Sequence, residues 1–259
     1  MNFLPSLRKK SLFLIIVVVV FYLIIAILSD INDLTINFQE MNYFLILPVL
    51  LVTLTGLFVK SIRQYFLLKQ VKITISFKEN LILYFAGLSL LSAPFGVGGI
   101  VKSHFLLKNQ NESISKTTPV ILIERFHDAL AMFCIILFFV VITNFGLINI
   151  PLIVIGSTFM FLIIVLKNTR FTKKTVSKLI KIKFLKITNE NSDDFYSSLT
   201  LLSKNNTLIV SWLIGLVGWL FDALAIYFSF LAFGLDLNFF ITTIIGFSSI
   251  LLGSLSFIP

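Results

Sequence analysis

A broken apolar segment decides the fold, and its centre reads SAPFGVGGIVK from Ser92 to Lys102. It continues an apolar run that begins at Leu81, and one proline and three glycines interrupt it before the lysine. Such a break frees backbone N–H and C=O groups, which inside a bilayer must be buried in protein or line a wet cavity. We therefore expect the stretch 81–128 to be the working part of a membrane protein.

Composition predicts an all-α protein, a polytopic bundle of transmembrane helices. Hydrophobic residues are 58% of the 259 and charged residues only 13%, against about 45–50% and about 25% in an ordinary soluble domain. The net charge of +9 does not indicate nucleic acid here, because the lysines lie between apolar runs, where they set membrane orientation and meet anionic lipid. The sequence therefore predicts membrane lipids, and no nucleic acid, as partners.

Cysteine and histidine usage predicts no cofactor and no metal site. Cys134 is the only cysteine and lies inside an apolar run, so the chain offers it no disulfide partner. The two histidines are His104 and His127, and their spacing fits no HExxH-type motif. We expect His127, which stands next to a charged cluster, to be an interfacial hydrogen-bonding residue.

The apolar runs predict one integral membrane domain, 1–259, with about six or seven membrane segments. Thr118 and Pro119 are expected to cap and begin one helix. Gly215 and Gly218 are expected to let another helix approach its neighbour closely. The segments are predicted at about 12–28, 43–59, 81–101, 119–143, 151–166, 207–233 and 239–258.

The positive-inside rule predicts that segment 81–101 is re-entrant, dipping into the membrane and returning at its Pro/Gly break. All 21 basic residues then lie on or near the cytoplasmic side, together with the N-terminus and the loop 167–206. The exterior segments near 30–42, 144–150 and 234–238 contain none. The alternative is a kinked full span with one unrecognised extra crossing. A basic connection is also expected after the second span, and it carries Lys60, Arg63, Lys69, Lys72 and Lys78.

The end of the chain echoes the broken segment. Residues 253–259 read GSLSFIP and residues 87–94 read GLSLLSAP, so both pass from small residues through serines to a proline. Paired interrupted segments in two halves of a transporter point to a binding site at the repeat interface. We therefore take Ser254, Ser256 and Pro259 as a second motif, with a chance match of short strings as the alternative.

Ionised residues inside apolar segments form the candidate site. One such side chain at a helix centre costs about 2.5–3.5 kcal/mol on insertion scales, so it is normally paired or faces the interior. Glu124 and Asp128 share a helix face, and Arg125 can pair with Asp128. The structural alternative is an ion pair that only holds this helix against the broken segment. Asp222 is expected to be a hydrogen-bond partner between helices, with proton coupling as its alternative.

A lipid phosphate is the expected ligand of the basic residues around this cluster. Arginine binds phosphate oxygens in pairs, and amides exposed at a glycine-rich break add further donors. A plain cytoplasmic anchor at the end of a segment is the alternative role for the lysine. The predicted headgroup-binding residues are Lys102, Arg125, Arg63, Gly96, Gly98 and Gly99.

Four short motifs together resemble the lysylphosphatidylglycerol synthase transmembrane-region family. The resemblance covers most of the chain and implies a flippase-like integral membrane protein, found alone or fused to soluble enzyme domains. In that family the last motif continues into Pro-Gly-Gly-x-Gly and a glutamate, so we expect this chain to be truncated, and no lysyl transfer is implied without the fused transferase domain. The motifs are the break ending in Lys102, Glu124-Arg125-x-x-Asp128, Arg63-x-Tyr65-Phe66 and the terminal Gly-Ser-x-Ser-Phe-Ile-Pro.

The predicted function is that of a flippase-like translocase in the cell membrane, which moves an anionic phospholipid or a polyprenyl-phosphate-linked precursor. A membrane-embedded transferase is one alternative, for which Glu124 and Asp128 are the candidate base or metal-binding carboxylates. An accessory or scaffold subunit of lipid or glycolipid biosynthesis is the other. The sequence disfavours an enzyme because no polar stretch is long enough for a soluble catalytic domain. It leaves open a homo-oligomer or a separate synthase partner.

Overall fold

The computed structural model describes residues 38–88, 102–107, 112–143 and 192–255, with residues 20, 36 and 156 as isolated positions. Every regular element in these ranges is helical. The predicted spans 12–28 and 151–166 lie outside the described residues. The elements are a 3-10 turn at Tyr43–Leu45 and six α-helices: α1 Ile46–Gln70, α2 Phe77–Leu88, α3 Ile114–Thr143, α4 Ser192–Leu202, α5 Asn205–Ala232 and α6 Phe239–Leu255.

Three of the helical segments are long and apolar enough to cross a membrane. They are Tyr43–Gln70, Ile114–Thr143 and Asn205–Ala232, and Phe239–Gly253 is a shorter apolar helix. At 1.5 Å per residue, a segment of 28 residues is about 42 Å long, more than the roughly 30 Å of the hydrocarbon core. The prediction of an all-α membrane bundle is therefore confirmed.

Helices α1 and α5 pack at backbone contact distance because glycines face each other. A Cβ atom built on Gly56 would lie 3.1 Å from the carbonyl oxygen of Gly218. A Cβ atom on Gly218 would lie 2.7 Å from Cγ of Lys60, and one on Gly215 only 2.4 Å from Nη1 of Arg63. The prediction that Gly215 and Gly218 permit close helix approach is confirmed.

Aromatic and aliphatic side chains fill the space between α3, α5 and α6. Phe247 is fully buried, and its ring lies 5.5 Å from that of Trp219 in an edge-to-face arrangement. On α3, the Phe139 ring centroid is 4.9 Å from that of Phe240. Such edge contacts add to the packing of the rings. This core fixes α3 against α5, the two helices that supply acidic residues to the bundle interior.

Helix α2 and the helical residues 102–107 lie side by side as two antiparallel legs. A Cβ atom on Gly87 would be 2.4 Å from Cε of Lys102. Leu83, one turn earlier on α2, and Leu106, one turn later on the second leg, line the same cleft. After Leu88 the chain therefore comes back beside α2 by residue 102. The intervening residues 89–101 lie outside the described part of the chain.

Polar contacts hold both legs to the rest of the bundle. Gln64 of α1 donates from Nε2 to Oδ1 of Asn80 at 3.1 Å, and Asn80 donates from Nδ2 to the Ser61 carbonyl at 2.9 Å. On the second leg, the Ser103 hydroxyl oxygen accepts from the Thr117 hydroxyl of α3 at 2.8 Å. All of the residues in these contacts are buried. The legs therefore sit between α1 and α3.

The structure corrects two predicted helix limits. Helix α1 does not end near residue 59 but continues to Gln70, so Lys60 and Arg63 lie inside a helix and not in a connection. These two cations are tolerated inside the helix because each of them pairs with a carboxylate of another helix. Helix α3 begins at Ile114, where the Ser113 hydroxyl oxygen caps it by accepting from the Lys116 N–H, so Pro119 is inside the helix and not at its first position.

Helices α1 and α5 end in the same hydrogen-bonded motif. At the end of α5, the N–H of Leu235 donates to Phe230 at 3.0 Å across Gly234, whose φ is +72°. At the end of α1, Ile73 donates to Leu68 at 3.0 Å across Lys72, whose φ is +59°. This is the Schellman arrangement, in which glycine is the favoured residue at the left-handed position. It explains why α1 ends at Gln70.

Part of the predicted basic loop 167–206 is helical. Helix α4 packs against the start of α3 and buries Phe195 and Leu199 there. The Ser113 hydroxyl donates to Oδ2 of Asp194 at 2.7 Å. The amphipathic helix expected near 173–184 lies outside the described residues, as does most of the predicted loop.

Candidate functional site

Three ion pairs join different helical segments inside the bundle. Each pairs a cation of α1 or of residues 102–107 with a carboxylate of α3 or α5. In a bilayer such charges are tolerated when they face the interior and meet each other. The pairs are Lys60–Asp222, Arg63–Asp128 and Lys102–Glu124.

The first pair connects α1 to α5 at the level of the facing glycines. The Lys60 ammonium donates to Oδ2 of Asp222 and also lies 3.5 Å from the ring centroid of Trp219. A desolvated ammonium over an indole face gains a cation–π attraction in addition to its ion pair. Lys60 is buried, whereas the Asp222 side chain is 21% exposed.

The second pair contains the most deeply enclosed cation of the three. Nη2 of Arg63 donates to Oδ1 of Asp128 at 2.8 Å, and Nε1 of Trp219 donates to the same oxygen at 2.9 Å. The Arg63 side chain is 2% exposed, and it fits against α5 because Gly215 has no side chain. Within the described residues, Nε and Nη1 of Arg63 have no hydrogen-bond partner.

The third pair lies at the edge of the bundle, between the second leg and α3. Nζ of Lys102 donates to Oε2 of Glu124 at 3.1 Å and stands 4.9 Å from the Tyr84 ring centroid. The Lys102 side chain is 13% exposed, more than either cation of α1. Oε1 of Glu124 is buried and has no partner in the part of the chain that the structure describes.

A small cleft opens beside this third pair. It lies between α1, α2, the second leg and α3, and the space inside it that water can occupy is about 10 Å³, which is room for about one water molecule. Lys102 and Glu124 supply its charges and Gln64, Ser103 and Thr117 its other polar groups, with apolar walls formed by Leu68, Leu83, Leu106, Val120 and Ile121. A concave apolar site with a few convergent polar groups is the usual form of a ligand-binding pocket.

His127 takes part in a contact between α3 and α5 instead of the charge pairs. Its Nδ1 lies 2.8 Å from the Ser211 hydroxyl oxygen, and both residues are buried. The prediction of an interfacial hydrogen-bonding histidine is confirmed. Among the described residues, no group of three or more His, Cys, Asp and Glu side chains could hold a metal ion.

The predicted headgroup-binding residues do not converge on one point. Lys102 lies at the cleft, whereas Arg63 is enclosed beside Asp128. Arg125 is exposed on the outer face of α3, and the predicted pairing of Arg125 with Asp128 is wrong, because Asp128 accepts from Arg63 and Trp219 instead. The positions outside the described coordinates are Gly96, Gly98, Gly99, Ser256 and Pro259, together with the side chain of Ser254.

Two residues of the charge network were not identified from the sequence. The sequence predicts Lys60 in a connection, and no sequence pattern indicates Trp219. A signal for Lys60 was present, because the chain from Gly56 to Gln70 contains no proline or further glycine that would end a helix. The prediction for Asp222 as a partner between helices is confirmed, with Lys60 as its donor.

One comparison with known proteins gives a match. A family model described as "Lysylphosphatidylglycerol synthase TM region" matches residues 13–259. No curated protein and no solved structure matches the chain.

Proposed function

Because the chain belongs to the lysylphosphatidylglycerol synthase transmembrane-region family, we propose that it is a flippase-like translocase of anionic lipid. The family and the apolar helices make it an integral membrane protein with a lipid-related role. The proposed substrate is an anionic phospholipid or a polyprenyl-phosphate-linked precursor, and the proposed location is the cell membrane. The N-terminus and the loop 167–206 are placed on the cytoplasmic side by the positive-inside rule.

The observation that carries the proposal is the Lys102–Glu124 ion pair, whose two residues line the cleft. A lysine ammonium is a point charge with three donors that binds phosphate readily. A lipid phosphate that reaches the cleft replaces the Glu124 carboxylate at Nζ of Lys102. The apolar walls of the cleft receive the first carbons of the lipid. The pairs of Arg63 and Lys60 stay intact and keep the surrounding helices in place.

A re-entrant hairpin is part of the proposal. Helix α2 has 12 residues, about 18 Å at 1.5 Å per residue, which is little more than half of the hydrocarbon core. The contact of Lys102 with Gly87 supports a chain that enters, turns and returns. Gly96, Gly98 and Gly99 lie outside the described residues, and their amides stay predicted donors to a phosphate.

Site-directed labelling tests this topology. Single cysteines replacing His104 and Lys181, in a Cys134→Ser background, are both expected to react with a membrane-impermeant maleimide from the cytoplasmic side. The positive-inside rule predicts this because a re-entrant segment keeps both residues on the same face. Labelling from opposite sides would contradict the re-entrant segment and favour a full span.

Arg125 has a separate proposed role. It is exposed on the outer face of α3, one residue from Glu124, at about 16 Å from the start of that helix at 1.5 Å per residue. A guanidinium there meets the phosphate of a lipid that approaches the bundle from the bilayer, before the lipid reaches Lys102. Arg125→Ala should therefore slow entry, whereas Lys102→Ala should remove the binding site itself.

Reconstitution into liposomes tests the translocase. Wild-type protein should bring fluorescent phosphatidylglycerol from the inner leaflet within reach of a membrane-impermeant quencher. Lys102→Ala should lower this rate at least about tenfold, since one charge-assisted contact to phosphate contributes roughly 1.5–3 kcal/mol. The matched control is Lys116→Ala, which removes a lysine of a more exposed pair with Glu112 outside the three interior pairs.

The outcomes separate the candidate classes. Loss of lipid movement in Lys102→Ala, with Lys116→Ala unchanged, supports the translocase. Equal rates in Lys102→Ala and wild type would reject the assignment of Lys102. A new lipid product formed by the wild-type protein would instead indicate the membrane-embedded transferase, and neither movement nor product would indicate an accessory subunit.

A further inference from the structure

We infer that each anionic lipid taken up at Lys102 is accompanied by one proton, which binds to Glu124. The protein would then carry lipid anion and proton together, with no net charge moved. This inference rests on the proposed translocase function and adds that lipid movement is coupled to proton movement. It follows from the balance of charges in the bundle interior and from the position of one orphaned carboxylate oxygen.

The interior charges of the described residues are balanced. Three cations face three carboxylates, and each cation is in contact with one of them. An added lipid phosphate would make four anionic groups against three cations, however the contacts rearrange. A charge left unpaired in a low-dielectric interior is strongly disfavoured, and a buried carboxyl group becomes neutral instead of remaining uncompensated. Uptake of one proton restores the balance.

Glu124 is the carboxylate that loses its partner when a phosphate binds Lys102. Its Oε2 has Lys102 as its donor, and its buried Oε1 has no partner among the described residues. By contrast, Asp128 accepts two hydrogen bonds on one oxygen, from Arg63 and Trp219. Asp222 keeps its contact with Lys60, on the far side of the network from the cleft.

The groups around Glu124 do not supply a replacement cation without breaking another pair. Arg63 is the nearest further cation and interacts electrostatically with Glu124, but it is already engaged by Asp128. Arg125 points to the outer face of the helix. The titratable or charged groups that face Glu124 or lie within one turn of it are Arg63 of α1, Tyr84 of α2, Lys102 of the second leg, Arg125, His127 and Asp128 of α3, and, beyond them, Asp222 of α5.

The proton step is a simple transfer. A proton from water in the cleft binds an oxygen of the Glu124 carboxylate as the phosphate takes its place at Nζ of Lys102. The neutral carboxyl then has its own O–H donor, which the phosphate oxygen accepts. When the lipid leaves, Glu124 returns the proton to water and accepts from Lys102 again. No bond other than O–H forms or breaks.

Imposed gradients distinguish this coupling from simple anion movement. Wild-type protein is reconstituted in phosphatidylcholine liposomes with a trace of fluorescent phosphatidylglycerol, and the fraction in each leaflet is measured with an impermeant quencher. One set of liposomes has a pH difference of one unit, with the acidic side outside and the voltage held at zero. The other has equal pH and a voltage of about 60 mV, positive inside, which corresponds to a tenfold ratio for one charge.

Coupled transport predicts a response to pH alone. Lipid and proton enter together from the acidic side, so phosphatidylglycerol should accumulate in the inner leaflet by up to about tenfold for one pH unit. The voltage should leave the leaflet ratio near its starting value. A response to voltage with none to pH would overturn the inference while leaving the translocase in place. Absence of movement under either gradient would overturn both.

Substitution of Glu124 locates the proton. Glu124→Gln cannot take up a proton, so any movement that it retains should follow the voltage and ignore the pH difference. The matched control is Glu112→Gln, in the pair with Lys116 outside the cleft, which should keep the response to pH. A pH response in Glu124→Gln would overturn the assignment. If Glu124→Gln does not fold, the wild-type comparison of the two gradients still decides whether a proton is carried.

Discussion

The α1–α5 interface and the cleft differ although both contain buried ion pairs. At the interface, helix backbones touch through Gly56 and Gly218, and the Arg63 side chain is 2% exposed. At the cleft, Lys102 is 13% exposed, and its Nζ is 3.1 Å from its carboxylate. The comparison teaches that packing decides what a membrane ion pair does. An ion pair that is enclosed by helix backbones holds the helices together. An ion pair of the same kind beside a cleft can exchange its partner.

The energetic reason is the environment that remains when a pair opens. At the interface, a separated Arg63 would stay buried without a partner, and breaking a buried pair costs about 3–5 kcal/mol in known cases. At the cleft, water or a phosphate can take the place of the Glu124 carboxylate. The two regions therefore differ in the availability of a substitute partner.

Removing the enclosed cation is expected to have the largest effect. Arg63→Ala should destabilise the protein by about 3 kcal/mol, the lower end for breaking a buried pair, because Asp128 loses its cation but keeps the Trp219 hydrogen bond and is 17% exposed. Thermal unfolding in detergent, followed by tryptophan fluorescence, measures this loss. Arg125→Ala is the control, since an exposed arginine should change stability by no more than about 0.5 kcal/mol. Equal losses in the two variants would contradict the comparison.

Double-mutant cycles measure the two pairs on one scale. The Arg63–Asp128 cycle should give a coupling of about 2–3 kcal/mol and the Lys102–Glu124 cycle about 0.5–1 kcal/mol, within the range found for contacting residues. The expected difference rests on the cations, since the Arg63 side chain is 2% exposed and the Lys102 side chain 13%, although Asp128 is more exposed than Glu124. Chemical unfolding of all single and double variants supplies the data. A larger coupling at the cleft would refute the idea that this pair exchanges.

Adding a methyl group to the glycine contact is expected to have a moderate effect. Gly56→Ala should cost about 1–3 kcal/mol by overpacking, because its Cβ would lie 3.0–3.1 Å from Asp222 Oδ1, Phe221 and the Gly218 carbonyl. Gly253→Ala is the control, since a Cβ there has no atom of the described residues within 4 Å. Thermal stability of the two variants, compared at equal detergent concentration, tests this. No loss in Gly56→Ala would mean that the helices can separate freely.

The smallest effect is expected at the start of α2, on the cleft side. The Ser76 N–H and hydroxyl donate to Glu79 at 2.8 and 2.9 Å, and these hydrogen bonds lower the pKa of the Glu79 carboxyl. A lowered pKa contributes stability that is complete above about pH 4.3, the ordinary value, and is lost as pH falls through the folded value. Glu79→Gln should therefore reduce stability slightly at pH 7 and not at pH 3, by thermal unfolding. A stability difference between Glu79→Gln and the wild type that grows as the pH falls would contradict this prediction.

The sequence was sufficient for the class of protein and for one helix contact. Composition alone separates a membrane bundle from a soluble domain. Gly215 and Gly218 identified a close helix approach because only small residues allow it. Asp222 could be assigned a partner on another helix because a lone carboxylate in a membrane needs one. These inferences use properties of single residues, which the sequence contains in full.

The partners themselves could not be predicted, since they depend on tertiary packing. Lys60 and Asp222 are 162 positions apart, and nothing local distinguishes Asp222 from Asp128 as the partner of a given cation. The predicted end of α1 was wrong for the same reason. A charged residue ends a span only when no opposite charge on another helix pairs with it inside the bundle. At α3, Ser113 and Thr118 are both good caps, and the local sequence cannot choose between them.

Trp219 gives the charge network a spectroscopic signal of its own. The chain has two tryptophans, and Trp219 donates to Asp128 while Lys60 stands over its ring. Emission of an indole shifts with nearby charge, so a Trp212→Phe variant would leave one fluorophore that senses both α1 pairs at once. Ligand-induced changes in its emission would then register whether the interface moves when the cleft is filled.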